Sequence, residues 1–401
     1  MKSNYKLIVG LHILSVLGSE TLSLYIHIPF CKRKCYYCDF LSFPVGVSKK
    51  NQENNQIEEY VDFLIKELSF YKKKKFKTIY IGGGTPSILN ESLLIKLLSN
   101  LREYARGLKE YTMEINPESF TRDKFDIISS FGVNRISIGV QSFSDMVLKS
   151  VNRSTRVKDI FNSIGILKEK KFENFNIDLI MGIQGRNQYL DDLNMAVKLM
   201  PSHLSIYLLH LSEQTVYYKM YRNGKIRLLD DDTMAELYAI SCDYLAKSGY
   251  KHYEISNFAK SGYESIHNLN YWLYGDYVGI GLGAVSKIDN RRITNEKILK
   301  KYYEKLSNGE LPVGNIEYLN RDKQMRERLM LMLRTSRGFE IKEIEDTLKM
   351  KNNGRLKNFK KMLEIIMKNG YAKVRNGRIL FTEKGFLSSN YIISEFFDLL
   401  N

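Results

Sequence analysis

The sequence alternates short apolar segments with amphipathic segments, and this alternation constrains the fold more than any other feature. Six times before residue 250, an apolar run of strand length precedes a segment whose apolar residues recur with the period of a helix. The predicted strands are 22–28, 78–81, 111–115, 135–140, 175–181 and 204–209, and the predicted helices are 56–72, 90–106, 121–131, 158–170, 188–200 and 231–248. Such repetition requires a parallel sheet with right-handed crossovers, and it leaves a doubly wound sheet and a barrel both open.

The C-terminal part of the chain has a different pattern and predicts a second, smaller domain. Residues 250–288 are rich in glycine and aromatic residues and are predicted to be irregular. Beyond them, three helices precede a hairpin around Asn376-Gly377, which is the arrangement of a winged-helix-like module. The helices are 321–334, 341–348 and 356–368, and the hairpin is 371–381. The predicted boundaries are 1–20 for an N-terminal extension, 21–255 for the strand–helix domain, 256–300 for a bridging segment and 301–401 for the C-terminal domain.

The chain is strongly basic, with 61 Lys and Arg against 45 Asp and Glu and a net charge of +16. This charge favours anionic partners in general. The basic residues are spread along the sequence without a dominant stripe, so nucleic acid is not the expected partner. The apolar segment 7–17 is shorter than the roughly 20 residues that cross a bilayer, and no good signal-peptide cleavage site follows it. The protein is therefore expected to be cytoplasmic.

Three of the four cysteines, Cys31, Cys35 and Cys38, are clustered with C-x3-C-x2-C spacing directly after the first predicted strand. Three thiolates can ligate three irons of a [4Fe–4S] cluster and leave the fourth iron open to an external ligand. The alternative is a zinc site with His27 or Cys242 as the fourth ligand, because thiolates suit both metals. Cys242 otherwise reads as a buried apolar residue within a predicted helix.

Polar residues lie at the ends of several predicted strands. Glu114, Gln141 and Asp178 interrupt apolar segments, and Arg153 follows the fourth strand. A polar residue is costly to bury without partners, and the carboxyl ends of parallel barrel strands gather functional groups at one face. The run Gly82-Gly83-Gly84-Thr85-Pro86, between a strand and a helix, allows a ligand to approach the backbone closely. Any one of these residues alone also suits a cap or a surface position, but together they predict a polar ligand.

The stretch Tyr25-Ile26-His27-Ile28-Pro29-Phe30-Cys31, continued by Cys38-Asp39-Phe40, closely resembles the radical S-adenosylmethionine (SAM) enzymes of the oxygen-independent coproporphyrinogen oxidase family. Within that family the HemW branch of haem chaperones is the best match, from about Thr21 to the C-terminus. The resemblance implies an open, partial (β/α)6 TIM-type barrel with a winged-helix-like C-terminal domain that caps it. It also implies a [4Fe–4S] cluster on the three clustered cysteines, together with bound SAM. The SAM-binding positions that it implies are Tyr25, Tyr37, Gly83, Gly84, Thr85, Glu114, Gln141, Arg153 and Asp178.

The run from His267 to Trp272 matches the H-N-x-x-Y-W stretch typical of HemW-type proteins. The resemblance implies haem binding by His267, Asn268, Tyr271 and Trp272. Imidazole can ligate haem iron, and aromatic rings can pack on a flat macrocycle. Core packing is the alternative for a histidine beside aromatic residues. The glycine-rich run 279–284 lacks the strand–helix context of a dinucleotide fingerprint and is expected to lie against SAM or the barrel wall.

Two features favour a chaperone over an oxidase. The oxidases carry a fourth cysteine two residues after the third, where this chain has Phe40, and a longer arm before the cysteine motif. The expected function is haem binding and transfer to an acceptor protein, for which a membrane-associated respiratory enzyme is a candidate. Oxidative decarboxylation of coproporphyrinogen III is the alternative, so enzymatic activity is left open. RNA binding through the winged-helix-like module is a third hypothesis.

Overall fold

The computed structural model describes residues 22–45, 50–72, 74–351 and 353–400, and the predicted N-terminal extension 1–20 lies outside them. The chain forms two compact units. The first unit contains the described residues up to Leu228, together with Ser265–His267 and Asp276–Tyr318. The second unit contains Leu229–Glu264, Asn268–Gly275 and the described residues from Leu319 onward. The domain boundaries proposed from the sequence differ from these two units and remain predictions.

The strands and helices of the described residues follow in chain order. The strands are β1 Ser23–Ile28, β2 Phe30–Cys31, β3 Phe43–Pro44, β4 Thr78–Gly83, β5 Glu110–Ile115, β6 Arg135–Gln141, β7 Phe175–Met181, β8 His203–Leu208, β9 Lys251–Glu254, β10 Asn257–Ala259, β11 Tyr277–Ile280, β12 Val285–Ile288, β13 Arg291–Asn295, β14 Val313–Tyr318, β15 Phe339–Glu340, β16 Ala372–Arg375 and β17 Arg378–Phe381. The helices are α1 Lys50–Ser69, α2 Glu91–Leu101, α3 Arg122–Ser130, α4 Asp145–Ser150, α5 Val157–Glu169, α6 Arg186–Lys198, α7 Val216–Arg222, α8 Asp231–Lys247, α9 Ile266–Trp272, α10 Leu299–Ser307, α11 Arg321–Met332, α12 Ile341–Lys351, α13 Asn353–Lys368, α14 Glu383–Leu387 and α15 Ser389–Leu400. None of the helices in the described ranges is both long and apolar enough to cross a membrane.

The first unit is built on one sheet in which the neighbouring strands are β14-β13-β12-β11-β1-β4-β5-β6-β7-β8. Strands β1 and β4 to β8 run parallel, and a helix follows each of them along the chain. Their apolar residues are almost completely buried, as is typical of a parallel sheet that is covered on both faces. The six predicted strand–helix units are therefore confirmed.

The prediction of an irregular segment at 250–288 was wrong. The structure forms strands β9 to β12 and helix α9 there. Strand β11 pairs in parallel with β1, so that Gly279 lies opposite Tyr25, and β12 to β14 continue the sheet in antiparallel pairs. Each strand in this segment has only three or four residues, which is too short to show a periodic apolar pattern. The glycine-rich run packs on the wall of the sheet, because a Cβ at Gly281 would lie 2.7 Å from His27 O.

The second unit contains the predicted winged-helix-like arrangement. Helices α11, α12 and α13 precede the β16–β17 hairpin, and β15, β17 and β16 form a three-stranded antiparallel sheet. Asn376 and Gly377 have φ values of 51° and 71°, the left-handed conformations that a type I′ turn requires. Strand β15 and the final helices α14 and α15 were not predicted, although Phe386 and Phe396 bury their rings in this unit.

Candidate metal and cofactor site

A cavity of about 400 Å³ lies in the first unit, lined by residues near the carboxyl ends of the parallel strands and by the cysteine segment. All three predicted cluster ligands line it, together with every predicted SAM residue except Tyr25. These lining residues are Cys31, Cys35, Tyr37, Cys38, Gly83, Gly84, Thr85, Glu114, Gln141, Arg153 and Asp178. Residues that are far apart in the sequence therefore meet at one concave site, where barrel enzymes place functional groups.

The cysteine segment is held against the rest of the first unit by its backbone. Tyr36 N donates to Val151 O at 3.0 Å, and Asn152 Nδ2 donates to Lys34 O at 3.0 Å. Cys38 N donates to Cys35 O at 3.1 Å, which closes a tight turn between the last two cysteines. The turn brings both thiols to the cavity lining.

The thiols have polar neighbours of their own in the cavity. Thr85 Oγ1 lies 3.5 Å from Cys31 Sγ, and Arg153 Nη1 lies 3.8 Å from Cys35 Sγ. Burial raises the pKa of the Cys31 and Cys38 thiols. A bound metal reverses this effect because a coordinating thiol is deprotonated. The donor set is thus three convergent cysteines in a partly enclosed site, which suits an iron–sulfur cluster with one open iron.

The zinc alternative lacks a fourth ligand at this site. His27 accepts or donates at both ring nitrogens, with Tyr25 Oη 2.9 Å from Nδ1 and Leu41 O 2.9 Å from Nε2. Cys242 is buried in the second unit, where its Sγ lies 3.8 Å from His252 Nδ1. Across the described ranges, no three His, Cys, Asp or Glu side chains lie close enough together to hold a single ion. The three cysteines are therefore spaced too widely for one zinc ion. A wider spacing is expected when each thiolate binds a different iron of a cluster.

The glycine-rich segment after β4 is fixed by a carboxylate from the neighbouring strand. Glu114 accepts a hydrogen bond from Gly83 N at 3.1 Å and another from Tyr80 Oη at 2.6 Å. Burial, assisted by the nearby carboxylate of Asp178, raises the pKa of Glu114 to about 7. A Cβ at Gly84 would lie 2.6 Å from Phe30 O, so a larger residue does not fit there. The backbone of this segment stays accessible to a ligand in the cavity.

Two lining residues carry buried polar atoms without a partner among the described residues, Gln141 Oε1 and Arg153 Nε. Gln141 also has a φ of 70°, which is rare for a residue other than glycine. Arg153 Nη2 donates to Asn116 Oδ1 at 2.9 Å and to Gly139 O. Unpaired buried polar atoms and backbone strain of this kind cluster at ligand sites. The lining residues therefore fit a polar ligand such as SAM.

One residue at the centre of this network was not predicted, and one predicted residue does not line the cavity. Asn116 donates to Thr85 Oγ1 at 2.9 Å besides accepting from Arg153, and its only signal was its position two residues after Glu114. Tyr25 is not in the cavity lining, because its hydroxyl bonds His27 and its ring stacks on Tyr80. Its predicted contact with SAM stays a prediction.

Asp178 is held by hydrogen bonds to side chains of its own strand and of the neighbouring strand β6. Its carboxylate accepts from Ser137 Oγ at 3.2 Å and from Asn176 Nδ2 at 2.7 Å. Burial raises the pKa of Asp178 despite these bonds. The residue lines the cavity from the middle of β7, where it is held in a fixed orientation.

The predicted haem motif forms the short helix α9, and its residues differ in exposure. His267 is completely buried in the first unit, with Nδ1 2.8 Å from Thr78 Oγ1 and its ring 5.1 Å from that of Tyr80. Asn268, Tyr271 and Trp272 are half-buried and belong to the second unit.

A buried carboxylate that was not predicted fixes the start of this helix. Glu110 accepts from Ser265 Oγ at 3.1 Å, from Ile266 N at 2.7 Å and from His267 N at 3.0 Å. An anion at a helix N-terminus satisfies backbone N–H groups that have no partner within the helix. Glu110 therefore fixes the start of α9, including the backbone of the buried His267.

The burial of His267 predicts a pH-dependent stability. Burial lowers the pKa of His267 to about 3, whereas an unfolded histidine titrates near 6.5. Between these values the unfolded chain binds a proton that the folded chain does not, so stability falls as the pH decreases through this window. We expect wild type to lose about 2 kcal/mol from this residue between pH 7.5 and pH 5. Urea unfolding at both pH values should show that His267→Gln lacks this part of the loss, and equal pH dependence in the two proteins would contradict the assignment.

Residues 25–199 match the Radical SAM superfamily. The chain is 35% identical over 383 residues to the heme chaperone HemW of Lactococcus lactis subsp. lactis (strain IL1403), which covers 93% of this chain and 97% of the relative. It is 32% identical over 379 residues to the heme chaperone HemW of Bacillus subtilis (strain 168). This alignment covers 93% of this chain and 98% of the relative. The structure of coproporphyrinogen III oxidase (HemN) from Escherichia coli, a radical SAM enzyme, aligns with a TM-score of 0.79 at 24% identity, over 96% of this chain and 92% of that one.

The parallel sheet and the cysteine-lined cavity at its carboxyl edge define a radical SAM protein. That class implies a [4Fe–4S] cluster and SAM, and the lining residues fit both. Within the class, the chain belongs to the HemW family of heme chaperones. The predicted fold class and family are confirmed, and the likeness to the oxidase structure shows a shared fold.

Proposed function

We propose that the protein binds haem and transfers it to an acceptor protein, with a [4Fe–4S] cluster and SAM in the cavity of the first unit. The observation that carries this function is the similarity to curated heme chaperones over 97% and 98% of their length. The exposed aromatic ring of Phe40, where the related oxidases carry a fourth cysteine, is consistent with it. We further propose a cytoplasmic location and an acceptor among membrane-associated respiratory enzymes.

We propose that the lining residues divide into ligands for the metal and contacts for SAM. Cys31, Cys35 and Cys38 hold the cluster and leave one iron open. Gly83 and its neighbours present backbone groups to the charged methionine part of SAM, in an orientation that Glu114 fixes through its bond to Gly83 N. When bound, the cluster and SAM supply one-electron chemistry.

Gln141 offers the most specific test of the SAM contacts. Its Oε1 is buried and unpaired among the described residues, so a ligand that pairs with it gains a hydrogen bond at no cost to the protein. Asn tolerates the same left-handed backbone but is shorter by one methylene group. We expect Gln141→Asn to weaken SAM binding about tenfold in equilibrium titrations of the cluster-loaded protein, with an unchanged cluster content. If Gln141→Asn bound SAM with wild-type affinity, the proposed contact between Gln141 and SAM would be contradicted.

The haem residues proposed from the sequence are His267, Asn268, Tyr271 and Trp272. The structure places a condition on His267, because its imidazole is buried and bonded to Thr78. Ligation of haem iron by this ring requires α9 or its surroundings to move so that the ring becomes accessible. The half-buried positions of Tyr271 and Trp272 leave part of each ring exposed for contact with a macrocycle.

Haem titration of the anaerobic full-length protein tests the function and the ligand separately. We expect wild type to take up haem to saturation and His267→Ala to bind one haem equivalent per chain at least tenfold more weakly. His252→Ala is the matched control, because His252 is another poorly accessible histidine, stacked on Phe258 at 4.2 Å in the second unit. Failure of wild type to take up haem would contradict the function. Equal haem affinity in wild type and His267→Ala would contradict only the ligand assignment.

A further inference from the structure

His210 stands apart from the other histidines of the described ranges. His27, His203 and His267 are buried, and His252 is half-buried, whereas His210 is exposed. An exposed imidazole keeps its nitrogens accessible, which ligation of an external metal ion requires. Among the described residues, His210 is therefore the histidine that reaches haem iron without a rearrangement of the fold.

His210 lies two residues after β8 and lines the same cavity as the clustered cysteines. Two aromatic side chains line that cavity and still face solvent, Phe40 with 65% and Tyr207 with 41% of its surface exposed. Exposed aromatic rings at the lining of a cavity can pack on a flat apolar ligand that enters it. We call His210, Phe40 and Tyr207 the cavity mouth.

Charged residues of the cysteine segment line the cavity as well. Arg33 is exposed and Lys34 is half-buried, with Lys34 Nζ donating to Phe40 O at 2.9 Å. The exposed carboxylate of Asp39 is the opposing charge there, so the segment keeps a positive balance. Cationic side chains at the edge of an aromatic surface suit a macrocycle that carries carboxylates.

We propose that the cavity mouth is a haem site in which the imidazole of His210 would ligate the iron. The macrocycle packs against Phe40 and Tyr207, and the propionates lie near Arg33 and Lys34. Each part of haem thus meets a side chain of matching chemistry. A haem in this position would cover the cavity and would slow the release of SAM bound inside it.

This site is separate from the one implied by the H-N-x-x-Y-W motif. His267 bonds Thr78, the first residue of β4, whereas His210 follows the last residue of β8. Strands β4 and β8 are parallel members of one sheet. His267 therefore lies towards the amino ends of the strands and His210 towards their carboxyl ends. The cavity-mouth site rests on the proposed function, because it assigns a second place to the same ligand.

The test uses the full-length, cluster-loaded protein with haem and SAM. We expect wild type to bind a second haem equivalent per chain. His210→Ala should bind this equivalent at least tenfold more weakly and lose its share of the absorption of imidazole-ligated haem, and added imidazole should restore that share. Phe40→Ala should weaken haem binding too. Phe161→Ala is its control, since Phe161 is also exposed (41%) but lies on α5 and not in the cavity lining. Haem should slow SAM release at least tenfold in wild type and not in His210→Ala.

The outcomes separate the site from the function. Unchanged haem affinity and absorption in His210→Ala, with haem uptake by wild type intact, would overturn the cavity-mouth site and leave the haem chaperone function standing. SAM release that is indifferent to haem in wild type would also overturn the site, because haem would then bind elsewhere. No haem uptake by wild type would overturn both.

Discussion

Cys38→Ala is expected to abolish the cluster. With two cysteines left, the cavity cannot hold a [4Fe–4S] cluster that needs three protein ligands. We expect iron and sulfide to fall from about four of each per chain to less than one after anaerobic reconstitution, and the binding of SAM to be lost with them. Metal analysis and electron paramagnetic resonance of the reduced protein measure both effects.

Cys242→Ala is the matched control, because it removes the thiol that lies outside the cavity lining. Cys242 is 2% exposed on α8 in the second unit, so its loss leaves only a small void and costs about 1 kcal/mol of stability. The cluster content and the response to SAM should equal those of wild type. A full cluster in Cys38→Ala, or an empty site in Cys242→Ala, would contradict the assignment of ligands.

Gly83→Ala is expected to have the second largest effect. Gly83 has a φ of 116°, and a Cβ there would lie 2.6 Å from His27 Cε1. The strained backbone costs about 1–2 kcal/mol, and the clash displaces either the His27 ring or the backbone that faces the cavity. We expect SAM binding to weaken by at least a hundredfold in titrations of the cluster-loaded variant.

Gly132→Ala separates the strain from the clash. Gly132 also has a positive φ, 85°, but a Cβ there meets no other atom of the described residues within 4 Å. We expect a similar loss of about 1–2 kcal/mol in unfolding experiments, caused by the backbone alone, and wild-type affinity for SAM. Equal SAM affinities in the two variants would show that the space beside His27 plays no part in the site.

The parts of the site that the sequence predicted are those with a local signal. Apolar runs and glycine clusters placed the strands and the segment at Gly83, and the spacing of Cys31, Cys35 and Cys38 indicated a cluster. The strand-end residue Gln141 could be predicted to lie in the same cavity, because parallel strands bring their carboxyl ends together. Local patterns together with the topology of a parallel sheet therefore predict which strand-end side chains meet.

The parts that could not be predicted depend on contacts between distant segments. The pairing of β11 with β1 joins residues about 250 positions apart, and nothing in a four-residue strand indicates its partner. His267 and Tyr271 are four residues apart on α9 and share a helix face, yet contacts with Thr78 and Glu110 bury His267 alone. The atoms Gln141 Oε1 and Arg153 Nε, buried and unpaired among the described residues, likewise could not be predicted, because their burial depends on the folded chain.

The central claim is that three cysteines hold a cluster whose open iron accepts SAM. Its most direct test is electron paramagnetic resonance of the anaerobically reconstituted, reduced protein with and without SAM. We expect the signal of one [4Fe–4S] cluster per chain and a change in that signal when SAM is added. A protein that binds zinc in place of iron, or a cluster signal that SAM leaves unchanged, would contradict the claim.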